Sequence, residues 1–152
     1  MTRLVSDDDF TQVVRLAPLV SIDLIIRDPN QDVLVALRTN EPAKGFYFVP
    51  GGRIRKDETI QAAFVRVLQA ETGCRMSFDH AQFRGVFQHF YSNNRYRLDG
   101  FGTHYVVLAY ELRLDYRPFI TLDGQHSEHR WMSEAELRAA TDVHHNTKMF
   151  FS

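Results

Sequence analysis

Apolar residues recur along this chain with two periods, and the switches between them mark out its elements. Phe10 to Leu16 follow helical spacing; Ser6, with Asp9 three positions on, resembles a helix start, and Pro18 ends the run. Val20 to Arg27 and Asp32 to Arg38 are rich in β-branched and apolar residues. The turn Asp28-Pro29-Asn30-Gln31, whose proline and asparagine preset the backbone, joins them as a hairpin, so Arg38 ends a strand. Further strand-like runs cover Phe46 to Val49, Gln82 to Tyr91, His104 to Leu114 and His129 to Met132, and Ser92 to Gly102 reads as a polar loop. Ser133 and Glu136 stand at capping-box spacing for a late helix.

The central segment predicts the most telling element. Ile60, Ala63, Phe64, Val67 and Leu68 repeat at helical spacing behind Asp57, a residue suited to cap the helix. On that helix Glu71 projects along the line of Ile60, Phe64 and Val67, so its carboxylate points toward the protein. Burying a carboxylate alone is costly, and either a metal or an arginine would offset the cost. Glu58 and Arg66 fall on a different side, where a salt bridge bracing the preceding loop is the simple expectation. The pair Gly51-Gly52 after Pro50 reads by itself as a turn.

Composition narrows the picture without choosing a function. The 152 residues, 44% of them apolar, suit one globular domain over 1–152 with its own core. Eighteen basic against nineteen acidic residues give a net charge of -1, which predicts no broad attraction to nucleic acid or an anionic membrane. A bound phosphate must therefore be met by a local site. The one cysteine, Cys74, cannot form an internal disulfide and is expected to pack rather than react. With no apolar signal core at the N-terminus and no membrane-length apolar stretch, a cytoplasmic location is expected.

Gly52, Glu58, Arg66, Leu68, Glu71, Gly73 and Cys74 stand in one spacing that resembles the Nudix box, G-x5-E-x7-R-E-U-x-E-E-x-G-U with U apolar. Val67 and Ala70 replace two of its carboxylates. With the flanking segments Pro18-Leu-Val-Ser21, Arg38-Thr-Asn40, Phe48-Val-Pro-Gly-Gly-Arg53, Gln88-His-Phe-Tyr91, Thr103-His-Tyr-Val-Val-Leu108, Gln125-His126 and Arg130-Trp131, the chain resembles the GDP-mannose mannosyl hydrolases, a variant group of that superfamily. The fold this implies is α/β, the Nudix α/β/α sandwich with a mixed sheet.

The resemblance implies Mg2+-dependent hydrolysis of GDP-mannose, or GDP-glucose, to GDP and free hexose, by water attacking the anomeric carbon with inversion; Mn2+ could substitute. It implies magnesium ligands at the Gly51 carbonyl, Glu71 and Gln125, a set that suffices because magnesium keeps several waters and takes substrate phosphate oxygens. It gives His126 the role of general base, chemically suited because a neutral imidazole titrates near physiological pH. Arg38 and Arg53 match leaving-group residues, as guanidiniums donate paired hydrogen bonds to phosphate. His89 and Tyr105 match residues around the diphosphate, and Asp23, in an otherwise apolar strand, matches a residue that lies near the sugar in that family. A homodimer is expected on the same ground, with no nucleic-acid or membrane partner. His129 after His126 invites a zinc reading, but a His-x-x-His pair without further ligands does not carry it. Two alternatives stand beside this reading: an ordinary Nudix pyrophosphatase attacking phosphorus of an NDP-sugar or NTP, and a non-catalytic nucleotide-sugar sensor.

Overall fold

A computed structural model describes residues 5–122 and 126–152. A mixed sheet runs through the molecule with helices on both faces. Helix α1 (Asp7–Leu16) leads into β1 (Leu19–Arg27) and β2 (Val33–Arg38), followed by the short strands β3 (Tyr47–Phe48) and β4 (Gly51–Arg53). After α2 (Ile60–Thr72) come the long strands β5 (Gln82–Tyr91) and β6 (Thr103–Arg113), then β7 (His126–Met132), α3 (Glu134–Ala139) and α4 (His145–Lys148). The strand order is β3-β2-β1-β6-β5, with β4 also on β1 and β7 also on β2. β1 and β6 run parallel at the centre and the other pairs are antiparallel.

Alternation along the strands sends side chains to two cores. On one face Ile22, Leu24, Ile26, Leu34 and Leu112 meet Ala63, Phe64, Val67 and Leu68 of α2. On the other, Ile25, Val33, Val35, Val49 and Ala109 meet Leu137, Val143 and Phe151 of the C-terminal segment. This is the expected α/β/α sandwich. Cys74 packs half-buried against the first core.

Most predicted elements fall within a residue or two of the observed ones, and the differences have local causes. Ser6 caps α1 by accepting from the Asp9 amide, and the capping box at Ser133 and Glu136 is formed. α2 is capped by Thr59, whose side chain accepts from the Ala62 amide, rather than by Asp57, which takes a left-handed conformation at φ 66°. Ile60, in the first turn, is exposed, so the buried stripe starts at Ala63. Gly73, at φ 78°, ends the helix with a conformation that suits glycine. The glycine pair is a strand: β4 aligns Asp23 with Gly51, Ile22 with Gly52 and Ser21 with Arg53. His126 opens β7 opposite Arg38 instead of lying in a loop, because β7 extends along β2 beyond its apolar stretch.

A buried ion cluster ties the strands together away from these elements. Arg27 Nε donates to Glu111 Oε1 at 2.6 Å and its Nη2 to Glu134 Oε1 at 2.5 Å. Burial opposes ionisation of Glu111, yet the hydrogen bond from Arg27 and the charges of Arg27, Arg84 and Arg113 together hold its pKa below the usual carboxylate value. Removing one partner of such a pair leaves a buried charge. Arg27→Met should therefore cost about 3 kcal/mol in urea unfolding, and Arg27→Met/Glu111→Leu should recover most of it. A neutral single variant would show that the pair does not hold the strands.

Candidate active site

The short strand β4 brings the loop-helix segment onto the central sheet. Pro50 O accepts from the Leu24 amide at 2.8 Å and Val20 O accepts from the Ile54 amide at 2.7 Å, closing both ends of the pairing. A Cβ on Gly51 would lie 2.4 Å from Asp23 Oδ1, so only glycine lets strand and carboxylate approach. A Cβ on Gly52 would sit 3.1 Å from Val67 Cγ2, where α2 packs onto the same strand. Thus two bare positions bring Asp23 and the inner face of α2 to one place.

The loop before α2 is braced as the sequence predicts. Arg66 donates to both Glu58 oxygens, at 2.7 and 2.9 Å, and to the Arg53 carbonyl at 2.8 Å, while Glu58 also accepts from the Arg55 amide. The hydrogen bonds from Arg66 hold the Glu58 pKa low, so the pair stays charged.

Above this floor lies a cavity of about 460 Å³. It gathers Asp23, Arg38, Gly51, Arg53, Glu71, His89 and Tyr105, seven of the nine residues singled out in the sequence. Glu71 is buried on the inner face of α2, as its helical phase predicts. Ala70, beside it, also lines the cavity, and Val67 is buried in the core. His126 and Gln125 complete the predicted set; the backbone of His126 pairs with Arg38 on the cavity wall, while Gln125 lies outside the described residues.

Register explains why distant residues meet. His89 of β5 is the cross-strand partner of Tyr105 of β6, which aligns with Leu19 of β1. Tyr91 and Thr103 are the next same-face pair on β5 and β6, and both line the cavity. Tyr91 escaped the sequence reading because alternation gives it the same phase as its packed neighbours. It touches Tyr105 edge-on, with ring centroids 6.3 Å apart, and His144 at 5.5 Å. The C-terminal segment supplying His144 carried no sequence signal of a wall beside the site.

Electrostatics separates the roles open to these groups. Burial pushes Asp23 up to about 7, against the pull of Arg38 and a hydrogen bond from Ser21, so near neutrality the carboxyl is divided between acid and anion. Burial, with His144 and His145 nearby, pushes His89 down to about 4, leaving a neutral imidazole that can hydrogen-bond but carries no charge. Its Nε2 is buried and makes no hydrogen bond among the described residues. Burial raises the Tyr105 phenol, opposed most by Arg38, so it remains a hydroxyl donor. Burial and the neighbouring Arg55 lower the Arg53 value. Its guanidinium lies 4.8 Å from the Phe10 ring centroid, placing α1 over the cavity.

Oxygen donors meet at one side of the cavity. Glu71, the Gly51 backbone and Asp23 border one space, suiting a hard cation that retains waters. Among the described residues no three His, Cys, Asp or Glu side chains come together as a metal cage.

The NUDIX domain model matches residues 17–151. The chain is 38% identical over 128 residues, 84% of its own length and 78% of the relative's, to the low-salt glycan biosynthesis protein Agl8 of Haloferax volcanii. It is 41% identical over 58 residues, 38% of its length and 34% of the relative's, to an ADP-ribose pyrophosphatase of Methanocaldococcus jannaschii. In structure it resembles a MutT protein of Methanosarcina mazei, at TM-score 0.71 and 19% identity over 88% of this chain and 91% of that one. It also resembles the Nudix domain of NrtR from Shewanella oneidensis, crystallised with ADP ribose, at TM-score 0.69 and 17% identity over 97% and 96% of the two chains. The chain belongs to the NUDIX family, in the class of Nudix hydrolases, enzymes acting on nucleotide derivatives. No helix among the described residues is long and apolar enough to cross a membrane.

The raised Asp23 gives a pH signature. Between about pH 4 and 7 the folded protein keeps on Asp23 a proton that the unfolded chain releases. The stability from that proton is complete below about pH 4 and is lost as pH rises through about 7. Asp23→Asn should lose less stability than the parent between pH 5 and pH 8 in urea unfolding. Equal losses would place Asp23 at an ordinary carboxylate value.

Proposed function

We propose that this Nudix hydrolase cleaves GDP-mannose, or a close GDP-hexose such as GDP-glucose, to GDP and free sugar by water attack at the anomeric carbon with inversion. The observation that carries the proposal is the charge pattern of the cavity. α2 contributes one carboxylate, Glu71, with Ala70 beside it and Val67 in the core, while Arg38 and Arg53 face the same space. A depleted acidic cluster weakens the case for a metal-crowded attack on phosphorus. Two guanidiniums favour departure of an intact nucleoside diphosphate.

Glu71, the Gly51 carbonyl and Gln125 are the proposed magnesium ligands, Mn2+ being an alternative ion. Bound there, the cation would draw charge from the diphosphate. His126, at the start of β7, is the proposed base that takes the proton of the attacking water. Arg38 and Arg53 bind the departing β-phosphate, and Tyr105 and neutral His89 hydrogen-bond around it. The ionised fraction of Asp23 stabilises positive charge growing at the anomeric carbon. A homodimer in the cytoplasm belongs to the same proposal.

A second reading, attack at phosphorus, draws on the match to the Methanocaldococcus jannaschii protein, whose name assigns it pyrophosphatase activity. Phosphorus NMR of the reaction with GDP-mannose in ¹⁸O water separates the two. The proposal expects GDP with unlabelled phosphates and the isotope in the sugar. GMP and labelled hexose phosphate, or labelled GMP, would assign attack to phosphorus and remove the role given to His126.

A further inference from the structure

The loop 92–102, which joins β5 to β6 and borders the cavity, holds two arginines that the fold treats differently. Its framework is Asn94, 2% exposed. Asn94 Nδ2 donates to the carbonyls of Leu98 and Phe101 at 2.8 and 3.0 Å, and its Oδ1 accepts from the amides of Tyr96 and Leu98 at 3.2 and 3.1 Å. The loop is fixed at its start by a hydrogen bond from the Asn93 side chain to Glu41, and by the Asn93 carbonyl, which accepts from Thr103 Oγ1 at 2.8 Å. Tyr96 Oη donates to Asp7 Oδ1 at 2.8 Å, tying the loop to α1. Arg95 therefore stands between two anchored residues.

Arg95 lines the cavity together with Arg38 and Arg53. Arg97 does not; it turns to Glu41, 3.9 Å away, and borders a separate recess in the loop. Among the described residues none of Arg38, Arg53 and Arg95 has a carboxylate within ion-pair distance, and the Arg95 guanidinium lies 5.8 Å from the Tyr96 ring centroid. All three line the cavity that holds Tyr105, and each favours ionisation of its phenol. Three cations lining one cavity with no carboxylate at ion-pair distance repel one another, and a multiply charged anion relieves that repulsion.

We infer that Arg95 is a third anion-binding group of the cavity, taking a phosphate oxygen of a diphosphate beside Arg38 and Arg53. The identification of that diphosphate as part of a nucleotide sugar rests on the function proposed above; the anion site itself does not. In this arrangement the loop sets affinity for the diphosphate, and Tyr96 and Asp7 hold the guanidinium in reach.

Calorimetric titration with inorganic pyrophosphate and with GDP, both with Mg2+, tests this on the whole protein, Arg95→Ala and Arg97→Ala. A charge-assisted hydrogen bond at a partly exposed site corresponds to roughly a tenfold affinity. Arg95→Ala should weaken both ligands by about that factor, whereas Arg97→Ala, which removes the same charge from the same loop, should stay within about twofold. Unchanged affinity in Arg95→Ala, or an equal loss in Arg97→Ala, overturns the assignment, as does a parent protein that binds neither ligand. Pyrophosphate binding that depends on Arg95, with no binding of GDP, keeps the anion site and removes the nucleotide-sugar reading.

Discussion

The missing side chain at Gly51 is the constraint on which the site turns. Strand β4 approaches β1 so closely that a methyl group there would lie 2.4 Å from Asp23 Oδ1. The approach aligns the loop before α2 with the central strands. It also sets α2 over β4, with Val67 against Gly52, so that Glu71 one turn later borders the cavity. The Glu58–Arg66 brace then fixes the loop that follows Arg53, since Arg66 also holds the Arg53 carbonyl.

Charge in this protein is local. The net charge of -1 conceals a cavity bordered by Arg38, Arg53, Arg55, Arg66 and Arg95. Arg66 is engaged with Glu58, whereas Arg38 and Arg53 have no carboxylate partner among the described residues. The acids of the same space are tuned by position: Asp23 is drawn toward neutrality by burial, and Glu71 comes alone from its helix. Such a balance favours a phosphate-bearing ligand while leaving few hard ligands for a cation.

The periodic signals were the legible part of the sequence. The strand-like run 82–91 coincides with β5, and helical phase pointed Glu71 inward because that phase depends only on which side chains must leave water. Seven of the nine singled-out residues share one cavity, but most came from matching residue order, since nothing local distinguishes Arg38 or Tyr105 from an ordinary arginine or a packed tyrosine. β4 was illegible as a strand because two of its three residues are glycines, whose pairing is set by what approaches them. Tyr91 was missed because an aromatic at the edge of a cavity and one in a core have the same pattern, and only cross-strand register tells them apart; His144, which meets it, comes from a segment outside the strands.

The central claim is that this cavity directs water to the sugar carbon. Proton NMR of the anomeric region, recorded in the first minutes of turnover of α-linked GDP-mannose before the free sugar equilibrates, tests it most directly. The account predicts that β-mannose appears first. A sugar phosphate that keeps the α configuration would contradict it.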